Sequence, residues 1–314
     1  MKVPARQACA RAADGRRFTL RFTSAVIMSA LAAALLAPLV AYLLAAAGIH
    51  MVFPRIFDRL VMVVAVTILV WQGRALGLPE LLRDGFRDLS DGLPGVCAGL
   101  GAASAIIIVL FILAARITQQ PPTVAAVAIR ALRYFGLAMF IGVFEEGFFR
   151  AVLLAGLRRD FSTRIALNAS SIIYALAHLV RAPQHHYVSG FQPAAGFTNL
   201  GASLARLVHP DGLLAMVFGL FLLGIVLGEA FILTGRVYLS IGLHAGFILG
   251  AKCWPAVAGA RVIPRWLAGP GPVPLIAAPA AWVAALLLLV AMWLWFAASR
   301  GGYCPSAGMK RRES

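Results

Sequence analysis

An all-α polytopic membrane protein, a bundle of about eight transmembrane helices, is the fold class predicted by three observations. Of the 314 residues, 61% are apolar, only 13% are charged, and the mean hydropathy is +0.87, whereas soluble domains carry about a quarter charged residues. The apolar residues fall in runs of about 20, the length that a helix needs to cross a bilayer core about 30 Å thick. No short alternating segments accompany them, and an open strand edge cannot be satisfied in lipid. A soluble globular enzyme is excluded. The 28 Lys and Arg against 12 Asp and Glu, a net charge of +16, could suggest a nucleic-acid binder. Most of these cations lie in the gaps between apolar runs, where they set topology and meet anionic headgroups, so no nucleic-acid partner is expected.

Taken in order, the expected spans cover residues 22–47, 51–71, 93–115, 134–157, 165–181, 211–233, 237–251 and 275–298. A basic segment, 1–21, precedes the first, and that apolar run exceeds the 7 to 15 residues of a signal-peptide core, so an uncleaved span is expected. Residues 22–133 form an N-terminal group of helices with a linker at 73–92. In it Leu81, Leu82, Phe86 and Leu89 alternate with Arg83, Asp84, Arg87 and Asp88, the pattern of a short amphipathic helix on the membrane surface. Residues 134–251 hold the chemistry, and 252–314 supply a loop, the last span and a basic tail. The stretch from Ala182 to Pro210, with His185, His186, Tyr187 and His209, is the longest polar connection. Cys9, Cys97, Cys253 and Cys304 lack paired spacing and are expected as free thiols. The larger share of Lys and Arg falls on the side of the N-terminus, so both termini are expected in the cytoplasm. Richness in Ala, Gly and Arg fits a GC-rich genome, hence a bacterial plasma membrane.

Ionisable groups inside apolar spans cost at least about 2.5 to 3.5 kcal/mol each on insertion scales, so each needs a reason. The fourth span holds Glu145, Glu146 and Arg150, the fifth His178, the sixth Glu229 and the seventh His244. Glu146 and Arg150, four apart, can pair on one helical face. Glu145 points about 100° away and lacks that partner. Phe221, Gly224 and Gly228 recur at i, i+3 and i+7, placing two glycines where a neighbouring helix can approach closely. Thr234 and Gly235 then turn the chain into the seventh span. His244 would thereby return beside the fourth and fifth spans.

Glu145-Glu146-x-x-x-Arg150, then Tyr174-x-x-x-His178, then Phe221-x-x-Gly224-x-x-x-Gly228 followed by Thr234-Gly235 and His244-Ala245, resembles the CPBP intramembrane protease family. That family includes the type II CAAX prenyl endopeptidases and the bacterial Abi proteins. The resemblance covers about residues 134–251. It implies an intramembrane endopeptidase in which Glu145 is the general base, His178 positions the water and His244 stabilises the oxyanion, with Glu146 and Arg150 as a supporting pair. Its substrate would be a membrane protein or a lipidated peptide within the lipid bilayer. Two positions depart from the pattern. Tyr174 stands where phenylalanine is usual, and Ile248 where the family often has an asparagine that shares the oxyanion role; Glu229 is a candidate replacement.

Peptide hydrolysis needs a water, a base for its proton and a donor for the developing oxyanion. The family is described both as glutamic and as metal-dependent, and Glu145, His178 and His244 could supply three zinc ligands with one open position. A catalytically silent membrane immunity or scaffold protein is a second reading, consistent with Ile248. An ion-coupled transporter using Glu145, Glu229 and the histidines is a third.

Overall fold

The computed structural model describes residues 5–119, 123–179, 190–208, 213–259, 262–270 and 275–301, excepting the side chains of 5–17, 207–208 and 300–301. Among these residues the structure is helical, with no strand. In chain order the helices are α1 (Ala5–Ala46), α2 (Phe53–Trp71), α3 (Gly73–Leu76), α4 (Leu78–Gly85), α5 (Gly92–Thr118) and α6 (Val124–Glu146). After a π-helical segment, Gly147–Leu154, come α7 (Ala155–Asp160), α8 (Thr163–Ala177), α9 (Ala195–Val208), α10 (Leu214–Thr234), α11 (Tyr238–Ala258), α12 (Arg265–Ala268) and α13 (Pro279–Gly301).

Six of the described helical stretches are long and apolar enough to cross a membrane: Phe18–Ala46, Leu89–Thr118, Val124–Asp160, Leu214–Thr234, Tyr238–Ala258 and Pro279–Ser299. The other two expected spans correspond to α2 and α8. Helix α2 carries Arg55, Asp58 and Arg59 in its first two turns, and α8, with 15 residues, rises only about 22 Å at 1.5 Å per residue. The expected number of eight is thus not established by length and composition. Large apolar side chains stay exposed along these helices, among them Leu132 and Phe140 on α6 and Leu287, Trp293 and Trp295 on α13, as lipid-facing surfaces require.

The centre of the fold is α11, packed between α5 and α6. Its seam with α5 is built on small residues from both sides: Gly95 and Gly99 of α5 lie against Tyr238, Leu239 and Gly242, and Gly246 lies against Ala103. A Cβ on Gly242 would lie 2.1 Å from the Val96 carbonyl oxygen, and one on Gly99 would lie 2.3 Å from that of Leu239. Only hydrogen fits at either position, the close approach that packs helices in lipid, where no hydrophobic force drives association. Gly242→Leu is therefore expected to destabilise by more than the roughly 1 to 3 kcal/mol of ordinary overpacking, because backbone rather than side chain blocks it. Gly136→Ala on α6, with nothing within 4 Å of the new Cβ, serves as the control in thermal unfolding of detergent-solubilised protein.

Helix α10 approaches α8 through Gly224 and Gly228, where an added Cβ would lie 2.9 Å from Ser171 Cβ and 2.4 Å from Leu167 Cδ1. At the turn into α11, Gly235 adopts φ +67°, a left-handed conformation that glycine takes without a Cβ penalty. Thr234 Oγ1 accepts the Arg236 N–H at 3.2 Å. The Ser240 hydroxyl donates to the Leu227 carbonyl at 2.8 Å, which ties the first turn of α11 back onto α10.

The amphipathic linker differs from the single surface helix expected of it. It divides into α3, α4 and a 3-10 turn, Leu89–Asp91, and docks on the core. Leu81 is buried, Val237 N–H donates to the Gly85 carbonyl at 3.1 Å, and the Tyr238 hydroxyl donates to the Phe86 carbonyl at 2.7 Å. Arg236 pairs with Asp88 at 2.7 Å and also with Asp91. The charges of the linker therefore clamp the α10–α11 turn.

The polar connection expected over 182–210 contains α9. This helix packs on α1 through Gly196, whose added Cβ would lie 1.9 Å from the Ala34 carbonyl oxygen, with Asn199 and Ser203 buried. His185, His186, Tyr187 and His209 lie outside the described residues. Cys97 and Cys253 are free thiols, whereas Cys304 and the side chain of Cys9 lie outside the described part.

Candidate active site

The site begins where α6 gives way to the π-helical segment. Glu145 and Glu146 occupy the last two positions of α6, and Arg150 lies in the π turn that follows. Such turns are rare and occur often at functional sites. Glu146 and Arg150 are both 0% exposed, with Arg150 Nε 3.1 Å from Glu146 Oε2. That contact is an ion pair without hydrogen-bond alignment, since neither atom meets the angular requirement for a bond. The guanidinium also lies over the Tyr174 ring, 5.1 Å from its centroid.

The second oxygen of Glu146 has a different task. Its Oε1 lies 2.8 Å from His244 Nδ1, on α11, where His244 is itself buried. A carboxylate paired with Arg150 can only accept, so Nδ1 carries the proton and Nε2 is turned toward Glu145, 3.8 Å from its Oε2. That distance is too long for a hydrogen bond. Glu145 Oε2 is buried without a hydrogen-bond partner, although the side chain as a whole keeps 26% exposure.

His178 caps the C-terminal end of α8 and is exposed. It stands at the end of a short helix, not in the middle of an apolar span. Its Nδ1 lies 2.8 Å from the Tyr174 carbonyl oxygen, an acceptor only, so neutral His178 holds its proton there and offers the Nε2 lone pair. The buried Tyr174 ring stands between the two imidazoles, with centroid separations of 4.7 Å to His178 and 6.2 Å to His244.

Glu145, Tyr174, His178 and His244 line one cavity of about 450 Å³, together with Ile248. Apart from Lys252 on α11, its remaining walls are apolar and come chiefly from α5 (Ile106, Ile107, Leu110), α10 (Met216, Leu220, Leu223), α13 (Trp282, Ala285) and the residues before it (Leu275, Ile276). Glu229, half-buried on α10, is not among the lining residues, and Ile248 presents an aliphatic wall at the position noted for asparagine. Sequence reasoning foresaw the Glu146–Arg150 pair but missed the bond from His244 to Glu146, which joins residues 98 positions apart. It also missed the small-residue seam with α5, although Gly95, Gly99, Gly242, Gly246 and Gly250 spelled out the spacing.

Among the described residues, no three His, Cys, Asp or Glu side chains lie close enough together to hold a metal ion. Glu145, His178 and His244 as arranged do not form a ready zinc site. Purified protein is expected to retain its activity through chelator titration, with metal analysis as the check.

Long apolar helices enclosing carboxylate and imidazole groups in a cavity define an integral, all-α membrane protein. Residues 127–249 match the family model described as type II CAAX prenyl endopeptidase Rce1-like, in agreement with the resemblance of that segment to the CPBP intramembrane proteases. The segment runs from α6 to α11 and includes Glu145, Tyr174, His178 and His244, whereas Lys252 lies just beyond it. No curated protein and no solved structure matches the chain.

Proposed function

We propose that the protein is an intramembrane endopeptidase that hydrolyses a peptide bond of a membrane-associated protein or lipidated peptide. The observation that supports this reading most directly is that Glu145, His178 and His244, from three different helices, line one apolar cavity.

In the proposed reaction, a water lies between Glu145 and His178 Nε2. Glu145 takes its proton as the oxygen attacks the carbonyl carbon of the scissile bond. The carbonyl oxygen becomes an oxyanion beside His244 Nε2, which donates to it only when the ring carries protons on both nitrogens. The Glu146 carboxylate on Nδ1 orients the ring for that donation, and oriented donors of this kind are a leading source of rate in acyl transfer. Collapse of the tetrahedral intermediate breaks the C–N bond, and the proton held by Glu145 passes to the departing amine. The apolar walls exclude bulk water and hold the flanking side chains of the substrate. In this reading the protein resides in a bacterial plasma membrane with both termini in the cytoplasm.

Ile248 favours one competing reading, a catalytically silent scaffold or immunity protein, since it contributes no oxyanion donor. Comparing membrane proteomes of cells that express wild type or Glu145→Gln separates the two. A new peptide terminus present only with wild type supports the protease; identical sets of termini would support the scaffold.

A further inference from the structure

Tyr174 lines the cavity but has no part in the proposed proton transfers. Its side chain is buried, and four neighbours hold the ring. Phe149 meets it edge-on at 5.0 Å, the His178 and His244 rings stand at 4.7 Å and 6.2 Å, and the Arg150 guanidinium carbon lies 5.1 Å from its centroid. Phenylalanine, the same shape without the oxygen, would pack there equally well.

The oxygen therefore needs a reason. Among the described residues no donor or acceptor pairs with the Tyr174 hydroxyl, and a polar group withdrawn from bulk water without a partner is a net cost to folding. The charges of Glu145, Glu146 and Arg150 all act on it, that of Glu145 more than that of Glu146. His244 Nε2 is also turned toward Glu145, so phenol and imidazole approach one carboxylate from α8 and α11. Ile248, one turn beyond His244 on α11 and in the same cavity wall, offers no polar atom. An oxyanion beside His244 would have a single donor from α11.

We propose that Tyr174 is a further catalytic residue, whose hydroxyl donates a second hydrogen bond to the oxyanion held by His244. The proposal rests on the endopeptidase reading, which puts the oxyanion there. The packed ring leaves only the hydroxyl proton to turn, and a donor fixed before the reaction needs no reorganisation during it. A hydroxyl without a protein partner can spend its bond on a group that appears only in the transition state. The phenol keeps its proton throughout, and Glu145 remains the base. A structural tie to Glu145 is less favoured, because Glu145 Oε2 is buried without a hydrogen-bond partner.

The test uses the full chain in uncharged micelles, a quenched fluorogenic peptide of Val, Ile and Leu, and its analogue with a phosphinate in place of the central amide, a tetrahedral anion that mimics the intermediate. Tyr174→Phe is expected to lower kcat by about 10²-fold with KM unchanged, the scale for one oxyanion donor. Its thermal midpoint should match or exceed that of wild type, and its preference for phosphinate over amide should fall with kcat. Adding Ile248→Asn, which sets an amide one turn beyond His244, should recover part of the rate. Unchanged kcat and phosphinate binding in Tyr174→Phe, with cleavage abolished by Glu145→Gln, would overturn the proposal and leave the endopeptidase reading standing. A loss of rate matched by a loss of thermal midpoint would reduce Tyr174 to packing and overturn it too. If wild type prefers the phosphinate through Tyr174 but cuts no peptide, the tetrahedral-anion site stands while the endopeptidase reading fails. Neither preference nor cleavage in wild type would overturn both.

Discussion

Arg150→Met is expected to lower stability by about 3 to 5 kcal/mol, because it strands a fully buried carboxylate without its cation. Glu146 and Arg150 are both 0% exposed, so no solvent relieves the unpaired charge. Unfolding of the detergent-solubilised protein, by denaturant titration, measures the loss. The double substitution Glu146→Leu with Arg150→Met separates stability from chemistry. Buried ion pairs replaced by apolar residues of similar volume are often neutral or stabilising, so most of the loss should be recovered. Activity should not return, because His244 has lost the acceptor on Nδ1, 2.8 Å away, that orients its ring. A hydrogen-bond partner that orients a functional histidine in this way is worth about 10 to 100-fold. A double variant that regains full turnover would show that Glu146 only balances Arg150.

Glu145→Gln is expected to reduce peptide cleavage by about 10² to 10⁴-fold, the range for a positioned general base, and to leave the fold intact. The amide matches the carboxylate in shape but cannot take a proton from water. Glu145 has no ion-pair contact shorter than the 3.8 Å to His244 Nε2, so little structural bonding is lost with its charge. Release of a labelled product by purified protein gives the rate, and the thermal midpoint gives the control. Unchanged cleavage would remove Glu145 from the reaction. A parallel fall in rate and midpoint would make it a structural residue.

These two glutamates show where sequence reasoning reaches and where it stops. The spacing of Glu146 and Arg150 is local, and a pair four residues apart forms whether the winding is α or π. The division of labour within Glu146, with one oxygen for Arg150 and the other for His244, depends on α11 lying against α6. No periodicity within either helix specifies that contact.

The same distinction applies to α9. Its large apolar side chains Phe197 and Leu204 are exposed, whereas Gly196, Asn199 and Ser203 lie on the packed side with Leu200, Gly196 directly against Ala34 of α1. In water the apolar stripe would mark the buried face; in lipid the small and polar face is the one that seeks a neighbour. The polar composition of 182–210 therefore reads as a connection although it contains a packed helix. The linker over 73–92 was legible as amphipathic, but its docking depends on Arg236 reaching Asp88 and Asp91.

Composition and the length of apolar runs were enough to establish that this chain is an all-helical membrane protein, because the bilayer allows few other solutions. Motif spacing singled out Glu145, His178 and His244, which line one cavity, since local order along a helix survives folding. Which helices touch, which nitrogen of each histidine is free, and that Lys252 shares a cavity with His244 were decided only by tertiary packing. Those features depend on glycine seams and on contacts between residues about a hundred positions apart, and elements so far apart in the chain meet only when the bundle closes.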